Sequence, residues 1–134
     1  MCNKNLKEFM SKFLEIAQEF AEENNFEIAY GYANEKSSEF IKNKSPLSES
    51  IIYYIIDPTR EDYSRKLHLR FYENVSVKFY CGNPMFSITL DENLKKLNSD
   101  KFDTTTEDFK KIENSDVDNN SKLKKYLKYM WSWC

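Results

Sequence analysis

Few of the residues in this chain that could do chemistry are spaced to do it. Asp116-Val117-Asp118-Asn119-Asn120 offers the alternating oxygen ligands that open an EF-hand calcium loop. However, Ser121 stands where the sharp turn needs Gly, and Leu127 stands where a bidentate Glu must close the shell. The segment reads instead as a polar connection, with Asn120 or Ser121 capping the helix that follows. One imidazole, His68, and three scattered cysteines, Cys2, Cys81 and Cys134, do not supply the clustered ligands of a zinc site. Asp57, Glu61, Asp62 and Lys66 resemble, loosely, the carboxylates and lysine of a metal-dependent nuclease. Carboxylates in a loop beside arginines read more simply as a solvated, mutually paired surface. The chain has only 2 Gly, and neither Gly31 nor Gly82 lies in the context of a nucleophile elbow, a P-loop or a dinucleotide fingerprint. His68, alone on the polar side of a strand, reads as an ordinary surface residue. No catalytic residue, metal or cofactor is expected.

The arginines are more informative. All three, Arg60, Arg65 and Arg70, fall in one segment, although lysine is used throughout the chain. Guanidinium offers a flat bidentate fork for carboxylate or phosphate and stacks on aromatic rings, which lysine cannot imitate. Together with Tyr72, Lys78 and Tyr80 they predict a basic, aromatic contact patch, and Arg and Tyr are enriched at protein-protein hot spots. A second surface is expected at the C-terminus, where Tyr126, Tyr129, Met130, Trp131 and Trp133 sweep around more of a helix than one face can bury. The expected contact residues are therefore Arg60, Arg65, Arg70, Tyr72, Lys78, Tyr80, Tyr129 and Trp133.

The elements that position them follow from periodicity. Leu67/Leu69/Phe71, Val75/Val77/Phe79 and Phe86/Ile88/Leu90 alternate with polar residues and predict a three-stranded meander with one apolar and one basic, hydroxylated, tyrosine-bearing face. Reversals are expected at Glu73-Asn74 and Cys81-Gly82-Asn83-Pro84. Ile51 to Ile56 is apolar on both faces and predicts a central strand covered on both sides. Phe26 to Tyr32 alternates and predicts a further strand. Apolar residues from Leu6 to Ala21 recur at helical spacing, with Asn5 and Glu8 as a capping box and Asn24 and Asn25 as a stop. A last helix is expected over Ser121 to Trp131, with short helical pieces at Glu39 to Ile41, Glu92 to Leu97 and Glu107 to Ile112. The expected fold is a single α+β domain over 1–134. It is a two-layer sandwich, with an antiparallel sheet of 4–5 strands and N- and C-terminal amphipathic helices packed on one face.

With 134 residues, 40% of them hydrophobic, the chain can bury a core without a disulfide framework or a structural metal. A formal charge of −2 argues against a general nucleic-acid coat. The odd cysteine count reads as reduced thiols, and no apolar run reaches a membrane-spanning length, so a cytoplasmic protein with no membrane partner is expected. These features favour a small non-enzymatic binding protein that occludes another protein, such as a basic nuclease or toxin, in the manner of an immunity protein or inhibitor. The alternatives are binding of nucleic acid or a phosphate ligand through the basic sheet face, and, third, a metal-dependent hydrolase.

Overall fold

The computed structural model describes residues 4–32, 39–40, 47–59, 66–81, 87–100, 107–132 and 134. They form an α+β fold in the order α1 (Lys4–Glu23), β1 (Glu27–Tyr32), β2 (Glu39–Phe40), β3 (Ile51–Ile56), β4 (Lys66–Tyr72), β5 (Ser76–Cys81), β6 (Ser87–Asp91), β7 (Lys96–Asp100), α2 (Glu107–Glu113) and α3 (Asn119–Ser132). The strands make one antiparallel sheet in the order β2-β1-β3-β4-β5-β6-β7. Six of them are five to seven residues long, and β2 is a two-residue edge piece.

The expectation of 4–5 strands is corrected by β2 and β7. Glu39 and Phe40 pair with β1 and are not helical, and Ile41 lies outside the described residues. Around Glu92 the helix is displaced by side-chain competition for the backbone. The Asp91 carboxylate accepts from the amides of Asn93 and Lys95 at 2.8 and 2.9 Å, and Leu94 turns left-handed at φ 62° to bury its side chain. The chain therefore reverses, and Lys96 onward pairs with β6.

The α1 terminus is built from its own residues. Asn25 is left-handed at φ 59°, the Phe26 amide donates to Ala21 O at 2.8 Å, and the Asn25 amide donates to Glu22 O at 3.3 Å. This is the paired bonding of a Schellman stop. At the other end Asn5 lies inside α1, so the expected capping box does not form there. Asp118, not Asn120 or Ser121, caps α3, accepting from the Ser121 amide at 2.7 Å.

The core joins α1, α2 and α3 to alternate residues of the strands: Ile51, Tyr53 and Ile55, then Leu67, Leu69 and Phe71, then Val77 and Phe79. Phe71 is its aromatic centre, with the rings of Phe13, Tyr53 and Phe9 at 5.3, 5.7 and 5.8 Å in edge-to-face geometry. Lys124 of α3 ties the helices together, pairing with Glu19 at 3.2 Å and Glu23 at 2.7 Å.

The expected C-terminal surface is corrected at Tyr129. It is only 9% exposed, because α2 lies over α3 and brings Phe109 to 5.6 Å from the Tyr129 ring and 5.7 Å from Tyr126. Sheet, α1 and α2 together cover more of the α3 circumference than one packing partner could, which is why Tyr126, Tyr129, Met130 and Trp131 are all buried. Trp133 lies outside the described residues.

The expectation of free thiols is corrected as well. Cys81 of β5 and Cys134 are joined by a disulfide across a sequence separation of 53. Their Cα atoms stand 5.2 Å apart because α3 packs along β5 and delivers the chain end to the sheet.

Candidate functional site: the outer sheet face

Successive strand residues point to opposite sides. Every residue between the core positions of β3, β4 and β5 therefore faces away from the helices. Cross-strand register sets these side chains in rows. One row runs Gly31, Ile52, Arg70, Lys78, Thr89, and the next runs Ala29, Tyr54, His68, Tyr80, Ser87.

In the second row the His68 ring lies between two tyrosines. It stacks on Tyr80 at 4.6 Å with an interplanar angle of 19°, and meets Tyr54 edge-on at 4.8 Å. Burial beneath these rings, with the Lys66 ammonium a lesser contributor, lowers the His68 pKa to about 4; backbone groups of Tyr80 and Lys66 pull weakly the other way. The imidazole is therefore neutral at pH 7, and its buried Nδ1 has no hydrogen-bond partner. Burial chiefly, with neighbouring Tyr54 adding to it, raises the Tyr80 pKa, so its phenol stays protonated and can donate.

Three cations complete the face, each against a ring. Lys66 Nζ lies 5.8 Å from the Tyr54 centroid, the Arg70 guanidinium carbon 5.8 Å from Tyr72, and Lys78 Nζ 5.5 Å from Tyr80. Arg70 and Lys78 are direct cross-strand partners. Like charges placed so are destabilising. The ion pairs between described residues are those of Lys124, so no described carboxylate neutralises Lys66, Arg70 or Lys78. Asp91, diagonal to Lys78, spends its carboxylate on the β6–β7 turn. Glu27 stands two strands from Lys66, on the far side of Ile56.

Arg70, Tyr72, Lys78 and Tyr80 thus share one face, all half-buried, while Arg60, Arg65 and the carboxylates Glu61 and Asp62 lie outside the described residues. Tyr129 belongs to the core. Sequence reasoning placed His68 on this face, as an ordinary surface residue, and missed Tyr54 and Lys66 as parts of it. Ile51 to Ile56 was expected to be covered on both sides, yet Ile52 and Tyr54 are half-exposed where Ile51, Tyr53 and Ile55 are buried. The two tyrosines were the available signal, since a strand buried on both faces seldom places phenols on each.

Elsewhere the surface is less organised. A cleft of about 360 Å³ lies between α1, the β6–β7 turn and the start of α3, and one of about 670 Å³ lies between α2 and α3. Among the described residues no three His, Cys, Asp or Glu side chains converge on a metal position, and no helix is long and apolar enough to cross a membrane. Comparison with family models, with curated proteins and with solved structures finds no match to this chain.

Proposed function

We propose that this chain is a non-enzymatic binding protein that holds or occludes another macromolecule, with the outer sheet face as its contact surface. In this reading the helices and sheet form two layers, one side closed by the core and the other left for the partner. The single observation that carries it is Arg70 set directly against Lys78 with no described carboxylate on either. A fold gains nothing from that juxtaposition, whereas an anionic partner would turn it into a pair of charge-assisted contacts. Tyr72 and Tyr80, rigid rings that lose little entropy when fixed, flank the pair, and tyrosine and arginine are the types enriched at protein-protein hot spots.

The same face underlies the alternative expectation of nucleic-acid binding, and its charge runs against the idea of a basic nuclease or toxin seated there. A basic partner would instead meet the acidic outer side of α1, where Glu15, Glu19, Glu22 and Glu23 are exposed. A disulfide such as Cys81–Cys134 persists in an oxidising compartment and is reduced in the cytosol, where packing alone would hold the end of α3.

The test is capture from cell lysate with the wild-type chain and with Arg70→Glu/Lys78→Glu as parallel baits, each with and without nuclease treatment. A macromolecule retained in stoichiometric amount by the wild type and lost by the variant supports the proposal. Identical retention by both baits, or none by either, sinks it.

A further inference from the structure

We infer that the outer sheet face receives an acidic protein segment, with carboxylates seated at Arg70, Lys78 and Lys66, in preference to a nucleic-acid strand. This rests on the reading of that face as the contact surface and names the chemistry of the partner.

The orientation of the rings decides between the two polyanions. A sheet that binds single-stranded nucleic acid offers aromatic faces on which bases stack, and that stacking supplies much of the affinity. Here the ring faces are engaged within the protein. His68 and Tyr80 stack on each other, Tyr54 meets His68 in a T-shaped pair, and Lys66, Arg70 and Lys78 lie against the rings of Tyr54, Tyr72 and Tyr80. A partner therefore meets ammonium, guanidinium and phenol groups, all able to donate. These groups suit carboxylate oxygens, and the cations and ring contacts leave a base less open ring surface to lie on than a bare aromatic platform would.

Spacing and charge agree. Arg70 and Lys78 form an adjacent pair across β4 and β5, while Lys66 lies four residues along β4, roughly 13 Å from Arg70 at the usual strand rise. His68, between them on β4, contributes no charge at pH 7. An extended segment carrying acidic residues at two positions of similar separation matches that pattern. A long polyanion of uniform charge would also meet the repulsion of a protein with a net charge of −2, which a short acidic segment largely avoids.

The experiment is fluorescence anisotropy of the full chain with two labelled probes of equal charge, a glutamate-rich peptide and an oligothymidylate. Each is titrated against wild type, Arg70→Gln/Lys78→Gln and Tyr80→Phe, with circular dichroism checking that every variant is folded. The peptide is expected to bind more tightly than the oligonucleotide, and the double substitution to weaken it by about tenfold or more through loss of two charge-assisted contacts. Tyr80→Phe, which keeps the ring and removes the donor, is expected to weaken it by a smaller factor. If the oligonucleotide binds better and the double variant loses it, the acidic-segment assignment is overturned while the contact face stands. If neither probe binds, or if binding survives the double substitution, the inference and the face both fall.

Discussion

Lys78→Glu should stabilise this protein while disabling the proposed contact surface. Lys78 lies opposite Arg70, where opposite charges contribute roughly 0.2–1 kcal/mol and like charges cost a similar amount. Reversing one charge removes the repulsion and adds an attraction, a swing of about 1 kcal/mol. Against that stands the loss of the contact between Lys78 Nζ and the Tyr80 ring at 5.5 Å, about 0.5 kcal/mol at an exposed site. The expected net gain is about 0.5 kcal/mol, or a rise in Tm of about 2 °C for a chain of this size. Salt separates this from any general effect, because the Debye length falls from about 30 Å at 0.01 M to about 3 Å at 1 M. Over that range the Arg70–Lys78 repulsion in the wild type should weaken, whereas the variant should lose its new attraction. Arg70→Glu should behave like Lys78→Glu, and the double reversal, which restores like charges, should lose the gain. Thermal denaturation at the two salt concentrations reads all of this. If Lys78→Glu lowers Tm by several degrees and the salt responses of variant and wild type are the same, the two cations do not repel each other in the free protein and the physical case for an anionic partner is gone.

The buried imidazole predicts a pH limb. The unfolded chain takes up a proton at His68 near pH 6.5 and the folded chain only near 4, so stability is lost as pH falls through that window. The loss reaches at most about 3 kcal/mol at pH 4, and His68→Phe, which keeps the ring stack, should flatten this limb in denaturant titrations between pH 7 and pH 4. Reduction of the Cys81–Cys134 bond, or Cys134→Ser, opens a cross-link spanning 53 residues and should cost about 2–4 kcal/mol, read as a fall in the urea midpoint; an unchanged midpoint under reductant would show that α3 packing alone anchors the chain end. Phe71→Ala should cost about 3–5 kcal/mol, since it empties the centre of the Phe9, Phe13 and Tyr53 cluster, whereas Tyr72→Ala on the other face of the same strand should change stability by less than about 1 kcal/mol.

The sheet was legible wherever one face is apolar and the other polar. Leu67 to Tyr72 and Val77 to Tyr80 announce both their strand and the side each residue takes, and the helical spacing of α1 is as plain. What escaped was decided by interactions that periodicity does not encode. The sequence from Glu92 to Leu97 has helix-forming residues, but the Asp91 carboxylate captures two amides and Leu94 gains more by burial than by continuing a helix. The burial of Tyr129 depends on a helix, α2, that folds over from earlier in the chain. Cys81 and Cys134 look unrelated until α3 and β5 are packed together. Of the site, Arg70, Tyr72, Lys78 and Tyr80 were legible because alternation alone puts them on one face. Alternation puts His68 there too, but its meeting with Tyr54 depends on the β3–β4 register, and Ile52 and Ile56 disguised the half-exposed side of β3 as a second core face.

The most direct measurement is lysine footprinting of the complex with whichever macromolecule the wild-type bait retains, by reductive methylation and mass spectrometry of bound and free protein. Contact through the outer sheet face predicts protection of Lys66 and Lys78, with Lys111, Lys125 and Lys128 around the α2–α3 cleft still modified. Protection of the cleft lysines, with Lys66 and Lys78 as reactive as in the free protein, would place the partner on the helical side and contradict the assignment.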